Sequence, residues 1–408
     1  MQLSYRISTR AASHPFNGAV VELSHHFPRG AELMRKRTRG HDLAALRRLN
    51  TTVVLRALHR RSPQTLAELA AGTGLSRPTV DAALEELAAQ GWVTEADAGE
   101  RVRGRPARRF RFRGESGYVL GADIGLHKMV LLLADLGGNV LAAERADIDP
   151  ELGGGPRLAL LQDGLDAFLD AHTVRRDLVL ARCVGVPGVV DASGHITSVV
   201  VPEWSGVDLG RLLADGETGH TLVENDVNLA VLAERWQGAA TLAGDVVCVL
   251  TGHRVACSLT IGGQLHRGGR GGAGELGLLP LLGMGRAHEA LAWKDGLRDG
   301  ESEVAALARA ADAADPRALD AIADFADRIS PGIAALALAL DPELVVLTGG
   351  ATPLGAHLVP LLEERLRPQT LHVPRIALST LGERGVALGA VRKALDRVEE
   401  ELLADPVG

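Results

Sequence analysis

Glu224-Asn225-Asp226-Val227-Asn228-Leu229-Ala230 lies where a short apolar strand, 222–224, passes into a helix over 228–236. What flanks this junction decides the fold. Upstream, 118–124, 129–136 and 139–145 read as three closely spaced apolar strands joined by tight turns. A helix carrying Leu158, Leu161, Leu165 and Leu169 follows, then a strand at 183–190. Downstream the order begins again: strands at 245–251 and 255–261, a largely helical 302–340, a strand at 343–347 ending in Gly349-Gly350, then helix, strand and a final helix. Two α/β units of similar order predict two lobes with a cleft between them. Gly-bearing turns end two of the strands, at Asp123-Ile124-Gly125 and Gly185-Val186-Pro187-Gly188, where small residues let a backbone approach a ligand. Asp226 can act there as a general base for a hydroxyl or as a cap of the helix that follows.

The chain has 408 residues, a length that predicts two or three domains, and its 46% hydrophobic and 23% charged residues exclude global disorder. The longest apolar run is 333–340, far short of the ~20 residues that span a bilayer. The three cysteines, Cys183, Cys248 and Cys257, are too few and wrongly spaced for a disulfide framework or a Cys-rich zinc site. With no secretory signal at the start, a cytoplasmic protein is expected.

Charge divides the chain more sharply than its net −7 suggests. Residues 1–115 hold 20 Arg and Lys against 11 Asp and Glu, whereas the remainder is acidic. A basic segment joined to an acidic body points to a polyanion as the partner of the first part. Residues 1–40 have no sustained period and read as a poorly ordered leader, in which Met34 is an alternative start. Over 41–115 a pattern emerges. A helix capped by Asp42 ends near Arg61-Ser62-Pro63, a short helix over 65–71 stops at Gly72-Thr73-Gly74, and Ser76 caps a third helix. In that helix Val80, Ala83, Leu84 and Leu87 repeat at i, i+3, i+4 and i+7. Trp92-Val93-Thr94 and alternating Phe-Arg-Phe-Arg at 110–113 then form a β-wing. This is a winged helix-turn-helix, whose third helix can enter the major groove. Arg77 can offer two donors to guanine, Ser76 and Thr79 can bind phosphate or base, and Arg103 and Arg105 in the wing can enter an A·T-rich minor groove. The alternative for the same residues is a small protein-interaction domain with a solvated basic hairpin.

The chain resembles the ROK family of repressors and sugar kinases over most of residues 41–400. The resemblance rests on R-R-L-N-T-T-V-V-L-R-A-L (47–58), L-S-R-P-T-V (75–80), G-W-V (91–93) and G-R-P (104–106) in the first part. In the body it rests on D-I-G (123–125), G-V-P-G-V-V-D (185–191), W-S-G-V-D-L (204–209), E-N-D-V-N-L-A (224–230), G-G-Q-L-H-R-G (262–268), G-G-A-G-E-L-G (271–277) and V-L-T-G-G (346–350). It implies a winged helix-turn-helix followed by an actin/hexokinase-like α/β fold of two RNase-H-like lobes, one about 116–227 plus 385–408 and the other about 228–384. The body, 116–408, is then an effector and oligomerisation domain. The resemblance also implies that Gly188, Asn225, Asp226, Glu275 and Glu289 contact a sugar, Asp226 matching the family's catalytic base.

Departures from the family pattern separate regulator from kinase. Kinases of the family carry D-I-G-G-T at the first phosphate turn; here Leu126 and His127 follow Gly125. The second phosphate loop, G-T-G-I-G in the kinases, is Gly252-His253-Arg254-Val255-Ala256. The sugar-binding His of the family is Leu278, and Pro280, Leu282 and Ala287 stand at the cysteine positions of its zinc motif. Neither a structural zinc nor a cofactor is expected. The expectation is therefore a non-enzymatic transcription regulator, a repressor of carbohydrate uptake or metabolism genes. It binds double-stranded operator DNA as a homodimer or homotetramer and senses a sugar or sugar-phosphate. Two alternatives stand beside it: an active ATP-dependent sugar kinase that also binds DNA, and a regulator answering to a non-sugar metabolite or a protein partner.

Overall fold

The second and third helices of the N-terminal module begin where a side chain closes free backbone amides. The computed structural model describes residues 43–96, 107–214, 216, 218–252 and 254–402. Helix α1, Leu43–Arg60, is followed by a two-residue strand β1, Gln64–Thr65, and helix α2, Leu66–Thr73. Thr65 and Glu68 cap α2 reciprocally: Glu68 N donates to Thr65 Oγ1 (3.2 Å) and Thr65 N to a Glu68 carboxylate oxygen (2.7 Å). Gly74, in the left-handed region at φ 73°, ends α2, and Ser76 caps α3, Arg77–Ala89. Strands β2, Val93–Glu95, and β3, Arg109–Phe112, complete the wing, with β1 added on the far side of β3 in an antiparallel sheet ordered β1-β3-β2. Val54, Leu58, Leu69, Val80, Leu84, Leu87 and Phe110 fill the core of the module. The Asp42 cap and the wing loop at 97–106, with Arg103 and Arg105, lie outside the described residues.

The body repeats one topology. Strands β4, Tyr118–Ile124, β5, Lys128–Asp135, and β6, Val140–Asp147, are an antiparallel meander. After α4, Gly154–Ala171, strand β7, Val179–Val186, pairs parallel to β4. Beyond the small hairpin of β8, Val189–Val190, and β9, Ile196–Thr197, and the short α5, Leu209–Leu213, strand β10, His220–Asn225, pairs parallel to β7. The sheet order is β10-β7-β4-β5-β6. Helix α6, Asp226–Gln237, leads into the second sheet, where β11, Val246–Thr251, β12, Val255–Ile261, and β13, Gln264–His266, form the meander. Helices α7, Glu303–Asp312, and α8, Pro316–Leu340, precede β14, Leu344–Gly349; α9, Gly355–Leu366, precedes β15, Arg375–Leu378; α10, Gly385–Leu402, closes the fold. The order β13-β12-β11-β14-β15 repeats that of the first sheet strand for strand, giving the two RNase-H-like lobes of an actin/hexokinase-like fold. β4, β5, β7, β11 and β14 are buried almost end to end, as strands covered on both faces must be.

Helices α6 and α10 lie in a core that reaches from one sheet to the other, through Val119, Ala181, Leu229, Val231, Cys248, Val346, Ala387 and Val391. A boundary at 227/228 would cut α6 after its second residue. Two of the differences from the sequence reading trace to single charged residues. The strand expected at 183–190 starts at Val179 and ends at Val186, because Arg182, buried at 5% exposure, hides its first half from an apolar pattern. The helical 302–340 is broken at 313–315, where Asp315 caps α8 by accepting from Arg317 N (2.9 Å). Among the described residues no helix is long and apolar enough to cross a membrane.

Candidate functional site

Two surfaces carry chemistry: the start of α3 and the corner between β10 and α6. At the first, Ser76 Oγ accepts from Thr79 N (3.3 Å) and lies 2.7 Å from Thr79 Oγ1, so both hydroxyls belong to the cap and face the helix N-terminus. A phosphate meets such an N-terminus favourably. Arg77 is exposed and forms no ion pair among the described residues. Sequence reading passed over Asp81 and Glu85, which follow Arg77 at helical spacing and share its exposed face. Both act electrostatically on Arg108 at the foot of the wing, whose main partner is Glu95. Arg47, Arg48, Arg60 and Arg61 are exposed on and just after α1.

At the second surface, β10 delivers Glu224 and Asn225 side by side into the first turn of α6. Asn225 caps that helix: its Oδ1 accepts from Val227 N (3.1 Å) and Asn228 N (3.2 Å), and its Nδ2 donates to the Gly188 carbonyl (2.9 Å). Gly188 and Asn225 are thus joined, and among the described residues one Nδ2 hydrogen of Asn225 is uncommitted. Asp226 is half-buried, and Asp123 at the end of β4 is buried beside it. Burial first, then the neighbouring Asp123 carboxyl, pushes Asp226 up to about 8; burial pushes Asp123 up to about 6. Glu275, near enough to Asp226 to add to its shift, is itself raised by burial against the lowering effect of Arg254. A carboxyl that keeps its proton near neutrality can both donate to and accept from a hydroxyl, a chemistry suited to a polyol.

Glu289 is set apart from this group. It is exposed and pairs with Arg286 (2.6 Å) and Arg328 (3.8 Å), and no hydrogen bond or ion pair joins it to the other four residues among those described. Leu278, at the position of the family histidine, is 54% exposed. Pro280 and Leu282 bound a single 3-10 turn and Ala287 is buried. Among the described residues no group of three His, Cys, Asp or Glu side chains is placed to hold a metal ion.

The two turns that would meet nucleotide phosphates are otherwise engaged. The Gly125 amide donates to the Lys128 carbonyl (2.9 Å) and the Gly252 amide to the Arg254 carbonyl (3.2 Å). The carbonyls of Gly125 (2.7 Å) and Leu126 (3.1 Å) accept from Arg157, a fully buried residue that also holds the carbonyls of Asp149, Pro150 and Leu152. Arg254 is half-buried within the second turn, and His253 lies outside the described residues. The Gly125 and Gly252 amides are thus committed within their own turns.

Three functional candidates escaped the sequence reading besides Asp81 and Glu85. Asp123 stood in the quoted D-I-G but carried no role. Arg157 precedes Leu161 and Leu165 on one helical stripe, and a charge on an apolar stripe is a readable signal of a buried cation. Arg267, inside the quoted G-G-Q-L-H-R-G, forms an ion pair with Glu224.

Comparison with known proteins bears on both surfaces. The family model described as the ROK family matches residues 119–397, and that of the IclR helix-turn-helix domain matches residues 50–97. A xylose repressor from Bacillus spizizenii is 23% identical over 242 residues, covering 59% of this chain. The chain spans only 62% of that relative's length. A xylose repressor from Caldicellulosiruptor bescii is 21% identical over 382 residues, 85% of this chain and 95% of the relative. Among solved structures, a ROK family transcriptional regulator described as a homolog of the E. coli MLC protein superposes with a TM-score of 0.66 at 21% identity, covering 89% of this chain and 99% of that one. That likeness establishes the fold.

Proposed function

The chain belongs to the ROK family, and on that premise we propose that it is a DNA-binding repressor whose two-lobed body releases or tightens DNA in response to a sugar or sugar-phosphate. The observation that carries this reading is a packed path from the β10–α6 corner to the DNA module. Asn225 and Asp226 begin α6; α6 packs on α10; and the far end of α10 packs on the winged module. There Leu395, Val398 and Leu402 of α10 meet Leu55 and His59 of α1 and Phe112 of β3. His59 lies edge-on to the Phe112 ring at 5.1 Å and 3.8 Å from Glu399. A ligand that prefers one setting of the corner biases α10, and with it the module. A ten- to hundredfold change in DNA affinity needs only ~1.4–2.8 kcal/mol of differential binding.

In this reading Ser76, Arg77, Thr79, Arg103 and Arg105 contact DNA, and Gly188, Asn225, Asp226, Glu275 and Glu289 contact the effector. Homodimers or homotetramers place two or more modules on one operator. The repressors among its relatives support the reading, and so do the altered phosphate turns, with Leu126-His127 and His253-Arg254 in place of the kinases' small residues. Of the two competing readings, retention of Asp226 favours the sugar kinase that also binds DNA. A single set of measurements separates them. Genome-wide mapping of bound sites yields an operator, whose affinity is then followed at fixed salt against D-xylose, D-glucose and their phosphates. A sugar-dependent shift without ADP formation is the expected result. Sugar-dependent ADP formation that disappears in Asp226→Asn would establish the kinase, and absence of any specific DNA site would overturn the repressor.

A further inference from the structure

After β13 comes a glycine-rich strap, residues 267–275, whose middle touches the first lobe and whose end packs back on the second at Gly274, where a Cβ would fall 2.1 Å from the Cys257 carbonyl of β12, just before Glu275. Its start is anchored by an ion pair across the cleft. Arg267 Nε (2.8 Å) and Nη2 (2.6 Å) both donate to one oxygen of Glu224, a carboxylate with only 5% of its side chain exposed. The other oxygen of Glu224 accepts from Asn225 N (3.1 Å) and Asn228 Nδ2 (3.0 Å). Asn228 Oδ1 in turn accepts from Ser258 Oγ of β12 (2.6 Å), so the network returns to the second lobe. The strap is closed by Ala273 N donating to the Arg267 carbonyl (3.1 Å). Its middle lies against the first lobe at Gly271, where φ is +80° and a Cβ would fall 2.4 Å from the Val190 carbonyl, two residues beyond Gly188. Glu224 therefore divides its two oxygens between the halves of the site: one fixes the Asn225-Asp226 corner, the other fixes the strap that carries Glu275.

We propose that Arg267 is the positioning residue of the effector site, setting Glu275 on the strap against Asp226 on the corner through Glu224. The assignment rests on the reading of this cleft as the sugar site. Arg267 touches no ligand in this scheme. Its planar guanidinium places two donors on one oxygen, a geometry that a lysine ammonium reproduces only as a point charge. Removing it leaves Glu224 charged, buried and without a cation.

The test uses the full chain with Arg267→Gln, Arg267→Lys and the double variant Glu224→Gln/Arg267→Gln. Two readouts are taken: calorimetric binding of D-xylose and of D-glucose, and amide hydrogen exchange over 267–275 without ligand. For Arg267→Gln the proposal expects sugar affinity to fall at least about tenfold, the loss of ~1.4 kcal/mol, with faster exchange in the strap while the sheets keep their protection. Arg267→Lys recovers part of both. The double variant, with no carboxylate stranded, recovers protection relative to Arg267→Gln alone. Unchanged strap exchange in Arg267→Gln overturns the proposal whether or not a sugar binds. Faster exchange with parental sugar affinity also overturns it, leaving the sugar reading intact. A parent chain that binds neither sugar nor their phosphates removes the sugar reading and this assignment with it. Loss of protection throughout the sheets in all three variants would show a purely structural role and likewise overturn it.

Discussion

Gly389 of α10 lies so close to Leu229 of α6 that a Cβ at position 389 would fall 1.8 Å from the Leu229 carbonyl oxygen. The two helices meet backbone to backbone at the centre of the path between the corner and the DNA module. Gly389→Ala must push them apart, and overpacking of a tight core costs about 1–3 kcal/mol, with rigid backbone on the other side placing this case at the upper end or beyond. A lowered urea midpoint with an unchanged slope is the expected result. A midpoint equal to the parent's would mean that α6 and α10 do not pack this closely.

What the sequence made legible follows physical range. The repeated strand and helix order needed only local patterns, and the cap at Ser76 announces itself within a few residues, whereas Thr65 reads as part of its helix and Asp226, not its neighbour Asn225, as the cap of α6. The Glu224–Arg267 pair did not, because its partners are 43 residues apart and each is an ordinary charged residue in isolation. Arg182 misled the reading, since a charge in a strand suggests exposure, whereas here the guanidinium binds Thr221 (2.9 Å) and the Leu213 carbonyl inside the first lobe. Glu289 is matched by motif spacing, which carries no sign of its ion pair with Arg286.

The carboxyls of the corner give stability a readable pH dependence. Asp226 and Asp123 hold their protons to about 8 and about 6 in the folded chain, against an ordinary value of 3.8. Between those limits the native state binds more protons than the unfolded chain, so stability is fully present below about pH 4 and is lost as pH rises towards 8. Asp226→Asn removes the larger contribution and leaves that of Asp123, which burial raises. Urea midpoints at pH 5, 6, 7 and 8 should fall less steeply in this variant than in the parent. Parallel slopes would contradict the shifts.

Arg157 is predicted to be the most sensitive single side chain of the first lobe. It is fully buried and satisfies five backbone carbonyls from two loops, those of Gly125, Leu126, Asp149, Pro150 and Leu152. Each buried acceptor left unpaired costs about 1–3 kcal/mol. Arg157→Met, close in length and without donors, should therefore unfold at a markedly lower denaturant concentration. Arg157→Lys should restore little, since three donors on one nitrogen cannot span two loops. Denaturation of both variants at one pH decides it, and a lysine variant as stable as the parent would refute the clamp.

On the exposed face of α3, Arg77 and Asp81 stand one helical turn, about 6 Å, apart along the axis and carry opposite charges. Against a phosphate backbone the aspartate only repels, but against base edges it can accept from the amino group of cytosine, as Arg77 can donate to guanine. Arg77→Ala should cost about 1–3 kcal/mol of operator binding and relax selection at one base pair. Asp81→Ala should relax a neighbouring position while strengthening non-specific binding, because a like charge has been removed from the phosphate field. Arg105→Ala should act differently again, weakening operators with A·T-rich flanks more than others. Selection from random DNA followed by affinities over a salt series distinguishes the three patterns. If all three variants lose affinity equally for every sequence, α3 and the wing supply charge alone and do not read bases.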